Sequence, residues 1–339
     1  MITSSHPTGR PRVGFVGTGM VADLHHQAIL TRRALELVGF VETDDRRAAD
    51  RSEEWKVDRY PDLDALLPAV DAVLVLTPER THHQLASRCL DAGKHVLVEK
   101  PVGDADEIAD LAGRADRAGL VCMPGHNYAY QPEFTELRSL INSGSFGRVR
   151  ALWITYVIKH PEDVAAHYAG VLEEVMVHHS YLTLALLGRP ARIHAGRMEP
   201  AWHRHRADDQ AWMTWEYPGG TSAHLFATFA VDDDTSDPWT FQVKVLGDRG
   251  GGLYNWRDTM FSRPLGTLPY ALPAYEASYG HEHAAFAAAI RDEPLVSPLS
   301  DAGTAAMILN RAKELSTDPE YGAILGGGRF LPAGGSDAD

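Results

Sequence analysis

The sequence predicts an α/β protein of two domains: a doubly wound parallel sheet, then an α+β domain with an open-faced, mostly antiparallel sheet. The length of 339 residues suits two domains of ordinary size. Short apolar runs alternate with helical patterns as far as residue 124, which is typical of parallel strands connected by helices. Beyond residue 125, long strand-like runs are separated by Pro-Gly-Gly and Asp-rich turns, which is typical of antiparallel strands.

The N-terminal elements are short and regularly spaced. Two of the predicted helices end at a glycine, which is a common helix C-terminal signal. The predicted strands are residues 12–17, 37–41, 70–76, 95–98 and 120–123, and the predicted helices are residues 20–31, 81–92 and 104–118. We assign residues 12–124 to this domain, after a disordered leader of residues 1–11.

The C-terminal elements are longer. The predicted helices are residues 132–142 and 172–187, and the predicted strands are residues 149–158, 211–217, 221–231 and 239–246. The domain covers residues 125–330, before a flexible tail of residues 331–339. Apolar residues on these strands exceed what one helix layer covers, so we expect a homodimer or homotetramer through this sheet. The residues concerned are Trp212, Trp215, Leu225, Phe229, Phe241 and Val243.

Composition and charge exclude several classes of protein. Apolar residues make up 44% and charged residues 23%, as in ordinary globular proteins. The net charge of −14 argues against a nucleic-acid partner. We expect no membrane segment, because no apolar run approaches the roughly 20 residues needed and the N-terminus lacks the apolar core of a secretory signal. Two cysteines are too few for a disulfide framework, which favours the cytoplasm.

A glycine-rich turn joins the first strand to the first helix. It reads Gly17-Thr18-Gly19-Met20-Val21-Ala22, which fits a dinucleotide-binding pattern. Gly17 permits the tight turn and Gly19 lets backbone N–H groups approach a pyrophosphate. Glu42 ends the next strand, where a carboxylate accepts hydrogen bonds from an adenosine ribose and repels a 2′-phosphate, so NAD is expected. Arg46 and Arg47 lie close enough to leave NADP open.

A lysine motif follows the strand at residues 95–98. Glu99-Lys100-Pro101 lies at the carboxyl edge of the sheet, where ligands bind in such folds. Four stretches together resemble the glucose-fructose oxidoreductase and inositol dehydrogenase family over roughly residues 12–316. They are residues 17–22, Thr77-Pro78, residues 92–101 and Gly125-His126-Asn127.

The resemblance implies a Rossmann domain, a second domain on an open-faced sheet, and a nicotinamide cofactor between them. It implies that Lys100 contacts the nicotinamide ribose and the reacting hydroxyl. Cofactor contacts are expected from Gly17, Thr18, Gly19, Met20, Val21, Glu42, Thr77, Pro78, His82, Glu99 and Lys100. Substrate contacts are expected from His126, Asn127, Tyr128 and His179.

A second motif lies in the helix predicted over residues 172–187. The family usually has Asp four residues before a His and often Asp three residues after it; this chain has Glu174, His178 and Tyr181. Positions four apart share a helix face, so Glu174 is expected to orient His178 or bind a second hydroxyl. An imidazole titrates near neutrality, so His178 is the expected proton acceptor and donor. His179 points about 100° away.

The 17 histidines lack the spacing of a metal site, and no metal is expected. His281 and His283 are expected to face solvent at the start of a helix.

Three functions fit the motifs. The preferred one is nicotinamide-dependent hydride transfer at a secondary alcohol or ketone of a sugar, cyclitol or related polyol. A second is an enzyme that keeps NAD tightly bound and oxidises its substrate transiently for elimination or epimerisation. A third is a non-catalytic regulator of a sugar pathway that binds a dinucleotide, although a sensor would need neither Lys100 nor His178.

Overall fold

A computed structural model of the chain describes residues 9–159, 169–198, 208–230, 239–256, 260–262, 266–268 and 271–317. Most of the predicted leader and the whole predicted tail of residues 331–339 lie outside the described residues.

The first sheet has six parallel strands in the order β3-β2-β1-β4-β5-β6. The strands are β1 (Arg12–Val16), β2 (Glu36–Val41), β3 (Asp58–Tyr60), β4 (Ala72–Val75), β5 (His95–Val98) and β6 (Cys122–Pro124). The helices between them are α1 (Met20–Arg32), α2 (Asp45–Trp55), α3 (Leu63–Leu66), α4 (His82–Asp91) and α5 (Ala105–Ala118). The predicted parallel α/β architecture is therefore confirmed.

The strand order reverses between β1 and β4, so the chain leaves these strands toward opposite faces of the sheet. Every residue of β4 is buried, as expected of a strand covered by helices on both sides. Ligands of such sheets bind beside the carboxyl ends at this switch point. The sequence did not predict β3, because this three-residue edge strand is mostly exposed and polar.

The second sheet is mixed, with strand order β12-β11-β7-β10-β9-β8. Neighbours are antiparallel except β7 and β10, which run parallel in the middle of the sheet. Its strands are β7 (Val149–Val157), β8 (Arg192–Met198), β9 (Gln210–Tyr217), β10 (Thr221–Thr228), β11 (Thr240–Gly247) and β12 (Gly251–Asn255), and a separate two-stranded sheet contains β13 (Met260–Ser262) and β14 (Gly266–Leu268). The four predicted strands are confirmed; the edge strands β8 and β12 were missed because polar residues and glycines obscure their pattern.

The described residues contain five further α-helices: α6 (Pro132–Asn142), α7 (Val171–Glu174), α8 (Met176–Leu187), α9 (Ala271–Ala289) and α10 (Leu299–Thr317). The helix predicted over residues 172–187 is confirmed in its extent but is divided in two at Val175. Val175 keeps a helical ψ of −41°, but its φ of −106° departs from the usual helical value and separates α7 from α8.

The last two helices return to the first sheet. α9 packs along α1, and α10 packs against α5 as well as against β8 and α8. Residues 271–289 and 299–317 therefore contact elements of both halves of the molecule.

Most of the six apolar residues that were expected to exceed the cover of one helix layer lie on the covered face of the second sheet. Trp215, Leu225, Phe229, Phe241 and Val243 are buried beneath the helices, and only Trp212 faces outward. The reason is register: Trp212 and Trp215 are three residues apart in β9, so they point to opposite faces. A different group of large apolar side chains is exposed on the open face, namely Trp153, Phe226, Leu246 and Leu253 together with Trp212.

Candidate active site

A cavity of about 550 Å³ lies between the carboxyl edge of the first sheet and the covered face of the second. The first turn of α1 and the Lys100 loop line one side, and α7, α8, β7 and α9 line the other. Its aromatic wall is formed by Tyr128, Tyr156, Phe229, Trp239, Tyr275 and Tyr279. A larger groove of about 910 Å³ between α6, β12 and α9 contains none of the residues predicted for the site. We therefore take the smaller cavity as the site.

The glycine-rich turn has room for a dinucleotide. Gly17 has φ of +91°, and a Cβ there would lie 2.9 Å from the Leu76 carbonyl oxygen, so this position requires glycine. A Cβ at Gly19 would meet no protein atom within 4 Å. Gly19 directly precedes α1, so the open space faces the helix N-terminus, which attracts a pyrophosphate. Met20 and Val21 line the cavity beside it.

Glu42 lies at the end of β2, where the ribose-binding carboxylate was expected. One oxygen accepts from the Thr18 hydroxyl at 2.7 Å and the Thr18 N–H at 3.1 Å, and the other accepts from the Asp44 N–H at 2.9 Å. Burial alone would raise the pKa of Glu42, but these hydrogen bonds and Arg47 at 3.4 Å hold it below its usual value. The carboxylate is therefore anchored and negatively charged, which suits a ribose diol better than a 2′-phosphate.

His82 does not reach the cavity. Its two ring nitrogens lie 2.8 Å from the Pro101 carbonyl oxygen and 2.6 Å from the Thr77 carbonyl oxygen. The ring therefore connects the loop after β4 to the loop after β5 and is not among the residues that line the cavity. Thr77 lines the cavity, and Pro78 begins the turn behind it.

Lys100 is tied to both sides of the cleft. Its Nζ lies 3.2 Å from Oε2 of Glu174, and its backbone N–H donates to Oε2 of Glu99 at 3.0 Å. Both partners of the ion pair are about one-fifth exposed and line the cavity. Glu174 therefore meets the lysine from the opposite domain. No hydrogen bond joins Glu174 to His178 among the described residues: Glu174 pairs with Lys100 and His178 with Tyr181, although both side chains line the same cavity.

His178 lines the cavity and has a tyrosine as its partner. Its Nδ1 lies 2.7 Å from the Tyr181 hydroxyl, and its ring stacks on Tyr128 with centroids 4.2 Å apart. Burial, with Lys100 and the nearby His126 and His179, holds the pKa of His178 well below its usual value. The imidazole is therefore neutral at neutral pH.

The remaining predicted substrate residues differ in their position. Asn127 and Tyr128 line the cavity, and the Asn127 amide donates to the Ser278 hydroxyl at 2.8 Å. His126 lies behind Tyr181, stacked on its ring at 3.9 Å and bonded to the Ser297 hydroxyl at 2.7 Å. His179 is fully buried away from the cavity. The structure thus brings together two of these four predicted residues.

A buried network behind Lys100 was not predicted. Oε1 of Glu99 lies 2.9 Å from His25, whose other nitrogen lies 2.7 Å from His283. His283 has no exposed surface, so the expectation that it faces solvent is wrong: α9 turns this side toward α1. No local pattern connects His25 with His283, which are 258 positions apart, so sequence reasoning gave no signal for this network.

No group of three or more His, Cys, Asp or Glu side chains in the described ranges is arranged to hold a metal ion. No helix within those ranges is both long and apolar enough to cross a membrane.

The fold and the cleft define a class of protein: a dinucleotide-binding oxidoreductase whose site lies between a Rossmann sheet and an open sheet. Residues 11–126 match the family model for the oxidoreductase family with an NAD-binding Rossmann fold, and residues 134–251 match its C-terminal domain. The chain belongs to this family, named GFO/IDH/MocA, and is an NAD-binding oxidoreductase. The resemblance drawn from the motifs is thereby confirmed.

The relatives include enzymes that are named for nucleotide-linked sugars and an enzyme that is named for scyllo-inositol. The UDP-N-acetylglucosamine 3-dehydrogenase of Acidithiobacillus ferrooxidans is 33% identical, over 65% of this chain and 67% of its own. The dTDP-3,4-didehydro-2,6-dideoxy-alpha-D-glucose 3-reductase of Streptomyces violaceoruber is 30% identical, over 67% of this chain and 70% of its own. The solved scyllo-inositol dehydrogenase of Lactobacillus casei, with bound NAD(H) and scyllo-inositol, has a TM-score of 0.76 at 16% identity over 91% of this chain and 97% of its own, which supports the fold.

Proposed function

We propose that this protein transfers hydride between NAD and a secondary alcohol or ketone of a sugar, cyclitol or related polyol. The observation that carries the proposal is the convergence of Lys100, Glu174 and His178 on one cavity directly in front of the open glycine-rich turn. The two sequence relatives described above act on nucleotide-linked sugars, which supports the substrate class.

The cofactor is held by elements of the first sheet. Residues Gly17 to Val21 would accommodate the pyrophosphate at the N-terminus of α1, and Glu42 would bind the adenosine ribose. When bound, the nicotinamide supplies the hydride acceptor or donor. Thr77, Glu99 and Lys100 line the cavity at the carboxyl ends of β4 and β5, where the nicotinamide ribose would lie.

Side chains of the protein would carry out the proton transfer that accompanies hydride transfer. His178 would take the hydroxyl proton at Nε2 during oxidation and return it during reduction. Lys100 would hold the reacting oxygen and stabilise its developing negative charge. Glu174 would fix the Lys100 ammonium from the opposite side of the cleft, in place of the role beside His178 expected from the sequence.

The experiment is a panel of nucleotide sugars, simple sugars and inositols, each incubated with NAD and followed by NADH absorbance. We expect NADH to accumulate with at least one of them. Product formation without NADH release would point to transient oxidation with tightly bound NAD. NAD binding with no product from any compound would contradict the proposal and favour a non-catalytic regulator.

We also propose that two copies associate through the open face of the second sheet. Five large apolar side chains share that face, and Trp153 stacks on His224 in its middle. Light scattering should show a dimer or tetramer, and Phe226→Lys should shift it toward monomer. Met307→Lys is the matched control, because Met307 is similarly exposed on α10 and lies off this face. A monomer in the unmodified protein would contradict the assembly.

We propose a cytoplasmic location. Cys89 and Cys122 are both buried free thiols, which supports a reducing compartment. Secretion of the native protein into the periplasm or medium, detected by fractionation, would contradict it.

A further inference from the structure

The hydrogen-bond partner of His178 determines which ring nitrogen can exchange a proton with a substrate. Nδ1 of His178 lies 2.7 Å from the Tyr181 hydroxyl, one turn further along α8, and both side chains are buried. Among the described residues no protein group hydrogen-bonds Nε2, and the ring lines the cavity. Nε2 is therefore the nitrogen available to a substrate oxygen.

Tyr181 is itself fixed in place. Its ring has no exposed surface and stacks on His126, and His126 is in turn bonded to the Ser297 hydroxyl. The ring of Tyr128 stacks on one face of the His178 imidazole. The imidazole therefore has one packed face and one fixed hydrogen bond, which together determine the direction of Nε2.

Among the described residues, no carboxylate hydrogen-bonds His178 or favours its charged form. Glu174, the acid that lines the same cavity, precedes Val175 on α7 and pairs with Lys100. Burial is the main cause that disfavours the imidazolium of His178, and Lys100 from the β5 loop, the neighbouring His179 and His126 from the segment after β6 act in the same direction.

We propose that Tyr181 is the positioning residue of His178, holding Nδ1 through a neutral hydroxyl so that Nε2 meets the reacting oxygen. This inference rests on the proposed function. A carboxylate in this position could only accept from a protonated Nδ1, whereas a hydroxyl pairs with Nδ1 whether or not it carries hydrogen. In oxidation the alcohol proton moves to Nε2 while Nδ1–H donates to the Tyr181 oxygen; in reduction the same proton returns to the substrate oxygen.

The pH profile follows from the burial of His178 and from the absence of a carboxylate beside its Nδ1 among the described residues. Oxidation requires a neutral imidazole, so turnover is lost as the pH falls through the pKa of His178. Because that pKa is held well below its usual value, the acidic limb of the unmodified enzyme lies well below pH 6.5. A carboxylate beside Nδ1 would stabilise the imidazolium and move this limb to higher pH.

Two substitutions test the proposal on the polyol of the panel that reduces NAD fastest. Tyr181→Phe keeps the buried ring and should lower kcat by roughly ten- to a hundredfold, with KM and the Kd for NAD changed little. Tyr181→Asp should move the acidic limb upward by about one pH unit or more. Tyr130→Phe is the control, because it also removes a buried hydroxyl, one that donates to the Ser297 carbonyl at 3.3 Å and does not touch His178.

The outcomes separate the two proposals. If Tyr181→Phe keeps the parent kcat and pH profile while His178→Gln loses turnover, the positioning role is overturned and the proposed function stands. If His178→Gln turns over like the parent, His178 is not the proton acceptor and the positioning role of Tyr181 fails with it, whereas the proposed function fails only if no compound of the panel reduces NAD. Should both Tyr181 variants fail to fold, ¹⁵N NMR of the unmodified enzyme decides, with the His178 signal identified by its loss in His178→Gln. A neutral ring with its hydrogen on Nδ1 is expected at pH 7, and an imidazolium or a ring with its hydrogen on Nε2 would overturn the proposal.

Discussion

The two sides of the cleft are built in different ways. On the cofactor side, Gly17, Thr18 and Gly19 are consecutive. Glu42, which accepts hydrogen bonds from Thr18, is only 24 residues away from it in the sequence. On the substrate side, Lys100 pairs with a residue 74 positions away, and Asn127 with one 151 positions away. The cofactor side is therefore encoded by a local motif, and the substrate side by packing between distant segments.

This difference has a physical origin. A pyrophosphate is recognised by backbone N–H groups and a helix terminus, which a short turn supplies wherever its glycines permit the conformation. A substrate is recognised by side chains from several elements, whose positions depend on how those elements pack. Substitutions in the glycine-rich turn should therefore change cofactor binding directly. The substrate side should respond both to residues that touch the reacting atoms and to distant residues that hold their helices in place.

The largest expected effect is on the substrate side alone. His178→Ala should lower kcat by about 10² to 10⁴, the usual loss for a general base, and leave the Kd for NAD nearly unchanged. Steady-state kinetics and NAD titration measure the two quantities. Lys100→Ala should damage both, because Lys100 lies between the two sides.

The control for His178→Ala is its neighbour. His179→Ala removes an imidazole that is equally buried but away from the cavity, so kcat should stay within about threefold even if the protein is less stable. A dead His179→Ala beside an active His178→Ala would reverse the assignment of these two residues.

A pair of glycine substitutions should separate folding from binding on the cofactor side. Gly17→Ala introduces a Cβ 2.9 Å from the Leu76 carbonyl at φ of +91°, so the free energy of unfolding should fall by about 1–3 kcal/mol. Gly19→Ala meets no protein atom and should leave stability unchanged, while raising the Kd for NAD at least tenfold by occupying the pyrophosphate space. Denaturant unfolding and NAD titration of both variants test this. Unchanged NAD affinity in Gly19→Ala would place the pyrophosphate elsewhere.

Cofactor choice is a smaller effect of the same local motif. NAD should bind more tightly than NADP, and Glu42→Gln should narrow the ratio of the two dissociation constants by about tenfold, since it removes the negative charge near the 2′ position. Equal or tighter NADP binding in the unmodified protein would contradict the role of Glu42. Arg47→Ala then decides whether Arg47, 3.4 Å from that carboxylate, binds the phosphate.

The sequence correctly predicted the parts of the structure that depend on local patterns of residues. Apolar runs located the parallel strands, and the glycine-rich turn has the open space that a dinucleotide requires. The partner of Lys100 could not be found this way, because the break at Val175 is a departure in a single residue's φ that helical periodicity does not reveal. The buried position of His283 likewise depends on α9 packing against α1, which no motif records.

The smallest expected effect compares a local helix cap with a distant one. Asp104 caps α5 from the adjacent position, accepting from the N–H groups of Asp106 and Glu107. Asp208 reaches the first turn of α7 from 36 residues away, where its Oδ1 accepts from the Leu172 N–H at 3.0 Å. Both carboxylates satisfy N–H groups that have no partner within their own helix.

Asp104→Ala should cost about 1 kcal/mol of unfolding free energy and leave kcat and NAD affinity unchanged, because α5 carries no group of the site. Asp208→Ala should lower the free energy of unfolding by a similar amount and should also lower kcat severalfold. The reason is that α7 carries Glu174, whose ion pair with Lys100 holds the lysine in position. NAD affinity should remain intact in both variants. If Asp208→Ala lost stability without any change in kcat, the position of Glu174 would not depend on this cap, and the substrate side would be less sensitive to distant packing than we infer.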